Sequence, residues 1–263
     1  MPNGLVSPAG LHVVNSRPVE RADALNLALQ QAGYEVTALA LLELVAVPWD
    51  ELLQQQLAAI DQVDVVVVVS PTAARLGLDY LARLGIEAST LACRWVAVGQ
   101  ATAQLLQQAG LQASIPELET SEGMLALRLF SQTQTPLQVM FWRGHGGRQF
   151  MLQQLENQQH QTCSVNLYQR QLPVQAAQVY QQLLHNPPQV LIVSSGVSWQ
   201  NWLNLAQQFG VIELTYVLVL GQRIYQQILS DVSGMWYPPR VIALDGLQPD
   251  YIIEVLRQVS IDP

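Results

Sequence analysis

Lysine is absent from the chain, so its 12 basic residues are all arginines. That absence excludes Schiff-base chemistry, which needs a lysine amine, and a P-loop, whose lysine neutralises a nucleotide phosphate. Charge of either sign is scarce: 12% of residues are charged and the formal net charge is −8. An extended nucleic-acid footprint needs the opposite balance. There are two cysteines, Cys93 and Cys163, too few and too far apart for a disulfide framework or a zinc knuckle, and they read as buried thiols. The four histidines, His12, His145, His160 and His185, lack the His-Glu-x-x-His type of spacing that marks a metal centre. No stretch reaches the roughly 18 apolar residues of a membrane span, and MPNGLVSPAG has no basic segment followed by an apolar one. A soluble, cytoplasmic protein with neither membrane nor nucleic-acid partners, no metal and no cofactor is expected.

What the chain does contain is organised around Val65–Val69, five consecutive valines followed by Ser70-Pro71. A short β-branched run with neither helical nor alternating pattern predicts a strand buried on both faces, as in a parallel sheet. Ser70 then stands at the carboxyl end of the strand, and Pro71 suits the first turn of a helix. Open α/β sheets hold ligands at such junctions, where hydroxyls and unpaired backbone N–H groups of the helix start face outward. A plain helix cap explains one such junction equally well. Val190-Leu191-Ile192-Val193-Ser194-Ser195-Gly196 repeats it, with Ser194 aligned to Ser70 at a separation of 124.

Other units alternate around these two. A strand at Leu11–Asn15 and a helix at Val19–Ala32 come first. Tyr34–Val47 is extended but too long for one strand, so it is expected to bend or to run between domains. A strand at Arg94–Gly99 leads into a helix opened by Gly99-Gln100-Ala101-Thr102, where glycine admits close backbone approach. Ser121 is the expected cap of a helix over Met124–Phe130. The strand Val139–Gly144 ends in Arg143-Gly144, and Gly146-Gly147-Arg148 opens the next helix. Ser164–Val174 is a second extended connector, Tyr216–Gly221 repeats the Gly99 unit, and a strand at Val241–Ala243 and a helix at Tyr251–Val259 close the chain. Arg143 follows Arg17 by 126 positions, Gly221 follows Gly99 by 122 and Pro249 follows Ser121 by 128. Ordered, slowly drifting offsets are what two copies of one unit with loop changes give; a run of generic βα units gives glycines after strands as well.

Together these residues resemble the uroporphyrinogen-III synthase family over roughly Leu11–Val259. The resemblance rests on Ser16-Arg17-Pro18, Val69-Ser70-Pro71-Thr72-Ala73, Val98-Gly99-Gln100-Ala101-Thr102-Ala103, Ser121-Glu122-Gly123-Met124-Leu125, Arg143-Gly144 with Gly147-Arg148, Tyr168-Gln169-Arg170 and Ser194-Ser195-Gly196-Val197. It implies an α/β protein of two flavodoxin-like parallel-sheet domains joined by a two-stranded linker, with the active site in the cleft between them. The implied boundaries are 1–38 with 174–263 for one domain, 48–163 for the other, and linker strands at 39–47 and 164–173. The implied activity is the cofactor-independent closure of hydroxymethylbilane to uroporphyrinogen III, a cyclising hydro-lyase reaction with inversion of ring D and loss of water. It would run through an azafulvene cation and a spiro-pyrrolenine. A monomer, and transient hand-over of substrate from hydroxymethylbilane synthase, complete the expectation.

Such chemistry is driven by the tetrapyrrole's own electrons, so the enzyme has mainly to position and to assist departure of the hydroxyl. That suits a sequence poor in catalytic groups. A chain of net charge −8 must hold a polycarboxylate through local donors. The candidates are Ser70, Thr102, Ser121, Ser194 and Ser195, the backbone at Gly99, Gly196 and Gly221, and the charges of Arg17, Arg143 and Arg148. The family places a tyrosine at the position of Tyr168, which is therefore the candidate proton donor to the leaving hydroxyl. The chain departs from the family pattern at Ile224, where a threonine is usual, and mildly at Ser16. A non-catalytic two-domain module binding a tetrapyrrole or another anionic metabolite is the alternative; a nucleotide-dependent enzyme lacks its glycine-rich fingerprint.

Overall fold

The computed structural model describes residues 10–261. In its first half β1 (His12–Asn15), α1 (Val19–Gln31), β2 (Glu35–Ala38), β3 (Glu43–Ala46), α2 (Glu51–Ala58), β4 (Val65–Val68), α3 (Pro71–Arg83), β5 (Arg94–Ala97), α4 (Gln100–Gln108), β6 (Ala113–Ser114), α5 (Ser121–Leu125) and α6 (Arg128–Ser131) follow one another. The second half runs through β7 (Gln138–Gly144), α7 (Phe150–Asn157), β8 (Gln161–Gln171), α8 (Ala176–Leu183), β9 (Val190–Val193), α9 (Gly196–Phe209), β10 (Tyr216–Leu220), α10 (Gln222–Val232), β11 (Arg240–Leu244) and α11 (Pro249–Ile261). The chain forms two compact units, one comprising the described residues up to Glu43 and from Gln171 onward, the other Leu44–Arg170.

Each unit has its own sheet. One has the order β11-β10-β9-β1-β2, the other β3-β8-β7-β4-β5-β6. Counted along the chain, the first follows the 2-1-3-4-5 order of flavodoxin-like folds. The second gives the same order for β8-β7-β4-β5-β6 once β7 and β8 are counted first. The valine strand β4 is fully buried, with Val66 and Val68 in one apolar cluster and Val65 and Val67 in another on the opposite face. Its parallel neighbours are β5 and β7.

Strand register shows how the two copies of the repeat combine. His12 pairs with Glu35 as Gln138 pairs with Gln161, both 126 positions on. Val65 meets Arg94 as Val190 meets Tyr216, and Trp95 meets Ala113 as Val217 meets Val241. The first copy's β1-β2 lies in the sheet with the second copy's β9-β10-β11, while β7-β8 joins β4-β5-β6. Each sheet is therefore half of one copy and half of the other. The alignment of Ser70 with Ser194 is corrected by one position. β9 starts 125 residues after β4, and Ser195, not Ser194, caps its helix as Ser70 does.

Several local expectations shift for identifiable reasons. Tyr34–Val47 divides into β2 in one sheet and β3 in the other. The helix expected from Gly146 starts at Phe150, because Gly146 sits at φ 71°, outside the helical region. Thr120 rather than Ser121 caps α5 by accepting from the Gly123 N–H at 3.0 Å, and the helix expected over Met124–Phe130 breaks into α5 and α6. Cys163 is exposed and Cys93 half-buried rather than enclosed; Cys163 takes an outward position of β8. The helix α8, unmarked in the sequence reading, sits 125 positions after α2.

In the first unit Tyr180 is fully buried, edge-on to Trp202, and its hydroxyl donates to the Gly210 carbonyl at 2.9 Å. Burial pushes its pKa up to about 12, from an ordinary value of 10.0. A raised folded-state pKa means that stability is intact below pH 10 and is lost as the pH rises towards 12. A thermal-unfolding series over that window is expected to show a steep alkaline decline that Tyr180→Phe flattens. An unchanged slope in Tyr180→Phe would dissociate the decline from this group.

Candidate functional site

Within the second unit, the carboxyl ends of β4, β5 and β7 open on a pocket of about 400 Å³. Four of the residues singled out above for side-chain chemistry other than Tyr168 line it: Ser70, Ser121, Arg143 and Arg148. Tyr168 lines it too, reached by an irregularity in the sheet. β7 and β8 run in register to Arg143 opposite Asn166, then shift so that Gly144 faces Tyr168. One extra residue on a strand re-aims the side chains beyond it. Gly144 completes the arrangement, since a side chain there would collide with the Tyr168 ring.

The Tyr168 hydroxyl lies 3.1 Å from Ser70 Oγ, and Ser70 Oγ accepts the Ala73 N–H at 3.1 Å. Ser70 thus ties the hydroxyl of Tyr168 to the first turn of α3. When Ser70 donates to the phenolic oxygen, the phenolic hydrogen is left free to point into the pocket. The Arg170 guanidinium stands 5.9 Å from the Tyr168 ring centre. Tyr168 and Arg170 are two apart on one strand, so both project to the same face. That alternation is the sequence signal by which Arg170, absent from the candidates above, was legible.

Arg143 is 4% exposed, unusual for a charged side chain. One guanidinium N–H donates to the Arg148 carbonyl at 3.0 Å and another to Gln149 Oε1 at 3.4 Å, both neutral acceptors. Burial lowers its pKa from the ordinary arginine value; Tyr168 opposes that shift and Arg170 adds to it. Gly147 leaves room for this guanidinium, which a side chain at 147 would displace. Arg148 is differently placed: exposed, it holds Glu122 through Nη2 at 2.7 Å and Nη1 at 3.4 Å and covers the Phe150 ring. The Glu122 carboxyl is held below the usual range by its own backbone N–H and then by Arg148. With Arg148 paired to Glu122, Arg143 and Arg170 against Glu119 still leave the pocket locally positive in a chain of net charge −8.

The remaining candidates lie elsewhere. Gly99 opens α4 behind Glu119, an acidic lining residue for which the sequence offered no periodic signal. Thr102 is 1% exposed, facing the core from α4, and does not line the pocket. Its counterpart Ile224, 122 positions on, is likewise buried and belongs to an apolar cluster. The hydroxyl missing at Ile224 is thus replaced at a core position. In the first unit, Ser195 Oγ accepts the Ser198 N–H at 3.1 Å as the cap of α9, preceded by Ser194 and followed by Gly196. Gly221 caps α10 at φ 81°, a conformation that favours glycine. Arg17 lines a hollow of about 90 Å³ with α1 and α8, and its pKa is lowered by burial and then by Arg21.

Fold and pocket together define a protein of two flavodoxin-like units, carrying a cationic pocket with a buried tyrosine at the carboxyl end of one sheet. A family model described as uroporphyrinogen-III synthase HemD matches residues 23–231. The chain belongs to the uroporphyrinogen-III synthase family, cofactor-independent lyases that cyclise hydroxymethylbilane to uroporphyrinogen III. Solved structures agree on the fold. A mutant uroporphyrinogen III synthase of the extremely thermophilic bacterium Thermus thermophilus superposes with a TM-score of 0.68 at 14% identity, covering 95% of this chain and 98% of that one. The wild-type protein of the same organism gives 0.53 at 16% identity, covering 95% and 96%. The uroporphyrinogen-III synthetase of Helicobacter pylori 26695 gives 0.56 at 14%, covering 95% and 99%.

Proposed function

We propose that the pocket of the second unit is where the terminal hydroxyl of hydroxymethylbilane departs. The supporting observation is the hydroxyl pair: Tyr168 sits 3.1 Å from Ser70 with a buried guanidinium lining the same pocket. Tyr168 gives its proton to the leaving hydroxyl, which departs as water while the pyrrole nitrogen supplies the electron pair and an azafulvene cation remains. The substituted carbon of ring D attacks that cation, the spiro-pyrrolenine fragments, and ring D recloses through its other α-carbon. Proton balance closes when that carbon loses its hydrogen and Tyr168 regains one. The charge left on the phenolate in the interval belongs to the ring whose centre stands 5.9 Å from the Arg170 guanidinium. Arg143 receives a substrate carboxylate, the anion its buried charge lacks.

In this reading the enzyme supplies proton delivery and orientation, and the substrate supplies the electrons. Ser121 Oγ in the pocket and the backbone around Gly99, behind Glu119, add donors, and Ser194, Ser195, Gly196, Gly221 and Arg17 are the corresponding donors of the first unit. The protein works as a cytoplasmic monomer that takes hydroxymethylbilane as its synthase releases it. Among the described residues no helix is long and apolar enough to cross a membrane. The test is to supply hydroxymethylbilane and separate the oxidised products by isomer. Type III in excess of the spontaneous type I product is expected; type I alone would reduce the protein to a binding module.

A further inference from the structure

The amino terminus of α4 is already occupied by an anion, and the anion belongs to the protein. Glu119 Oε1 accepts the Gln100 N–H at 2.7 Å, and its carboxylate fills the space where any side chain at position 99 would project. Gly99 is extended there, so glycine is needed for room and not for its backbone angle. Glu119 is an exposed residue of the segment between β6 and α5, held by its hydrogen bond from Gln100 and lining the same pocket as Arg143.

The second copy of the repeat has no such contact. Position 247, 128 after Glu119, is leucine, and Gly221, 122 after Gly99, has nothing within 4 Å of where a side chain would begin. The seat is therefore a feature of this pocket and not of the βα unit in general. A second observation points independently to an incoming anion: Arg143, buried in the same pocket, has only neutral hydrogen-bond acceptors among the described residues. A helix start that holds a carboxylate, beside a buried cation that lacks one, suits a ligand with several carboxylates.

We propose that Glu119 is a displaceable stand-in for a substrate carboxylate: it holds the α4 amino terminus in the free protein and yields it to a carboxylate of hydroxymethylbilane. This rests on the reading of the pocket given above and adds a named subsite to it. Competition of this kind scales the apparent affinity by the fraction of time the seat is free, so a seat taken about nine-tenths of the time costs about tenfold. It also excludes ligands that bring too few carboxylates to displace it.

Two substitutions separate a stand-in from an ordinary helix cap. Glu119→Ala empties the seat and is expected to lower KM for hydroxymethylbilane by up to about tenfold. Gly99→Ala also expels Glu119, but its methyl occupies the seat, so KM is expected to rise. A cap whose only task is structural would make both variants alike: lower melting temperature, with KM unchanged or raised in each. If Gly99→Ala does not fold, Glu119→Gln decides in its place. It keeps an acceptor without the charge, and KM between those of wild type and Glu119→Ala supports the proposal, whereas a wild-type KM overturns it. Formation of type III by the wild-type protein in the same assay separates the two layers. Its absence defeats the reading of function, while its presence with Glu119→Ala binding no tighter defeats only the stand-in.

Discussion

Tyr168→Phe is expected to slow formation of the type III isomer by about a hundredfold or more, the scale on which a positioned general acid contributes. The substitution removes one oxygen and leaves the ring that packs against Gly144. Its cost in stability is that of the Ser70–Tyr168 hydrogen bond, about 1 kcal/mol, so the variant remains folded and the loss is chemical. Binding should change little, because the proposed carboxylate contacts are made by other residues. The signature is thus a fall in kcat with KM nearly unchanged, together with a larger share of type I from substrate that closes in solution. Wild-type turnover by folded Tyr168→Phe would remove Tyr168 from proton delivery and leave it as an aromatic packed beside the bulge.

Arg143→Met is expected to separate stability from function. Methionine matches much of the arginine's length, and the buried guanidinium it replaces has no carboxylate partner in the described residues. Removing an unpaired buried charge relieves desolvation, so the melting temperature should hold or rise. Substrate affinity should fall by at least about tenfold, since the charge-assisted contact to a carboxylate is lost and such contacts are worth more than about 1.4 kcal/mol when buried. KM for hydroxymethylbilane and a thermal melt on the same preparation check both halves. A variant that unfolds easily yet keeps its KM would make Arg143 an anchor for the turn carrying Arg148 and Gln149, and nothing more.

The parts of this arrangement that are local were legible in the sequence. The valine run predicts a doubly buried strand because no other backbone geometry accepts four consecutive buried β-branched residues so well, and Ser70-Pro71 marks the helix start through the chemistry of its own two side chains. What was not legible is non-local. The repeat was visible in its offsets, but the exchange of β1-β2 and β7-β8 between sheets depends on pairing between distant strands, and the residues alone did not give it: the discontinuous domain came from the family resemblance. Consecutive serines at 194 and 195 are degenerate as caps, and only the strand register shows that Ser195 is the partner of Ser70. Tyr168 came from family resemblance alone; the bulge, Gly144 and the contact to Ser70 give it a physical basis. Thr102 illustrates the converse, since a hydroxyl in the first turn of a helix looks like a donor until packing turns it inward. Glu119 lies in a segment without periodicity, and its place at the start of α4 depends on a contact across 19 positions.

The most direct test of the hydroxyl pair is a double-mutant cycle on Ser70→Ala and Tyr168→Phe, read as single-turnover rates of type III formation on folded protein. If Ser70 acts through Tyr168, the double variant should be about as slow as Tyr168→Phe alone, because removing the phenolic oxygen already abolishes what Ser70 orients. Losses that multiply would show two independent contributions, and the pocket would have to be rebuilt around a different proton donor.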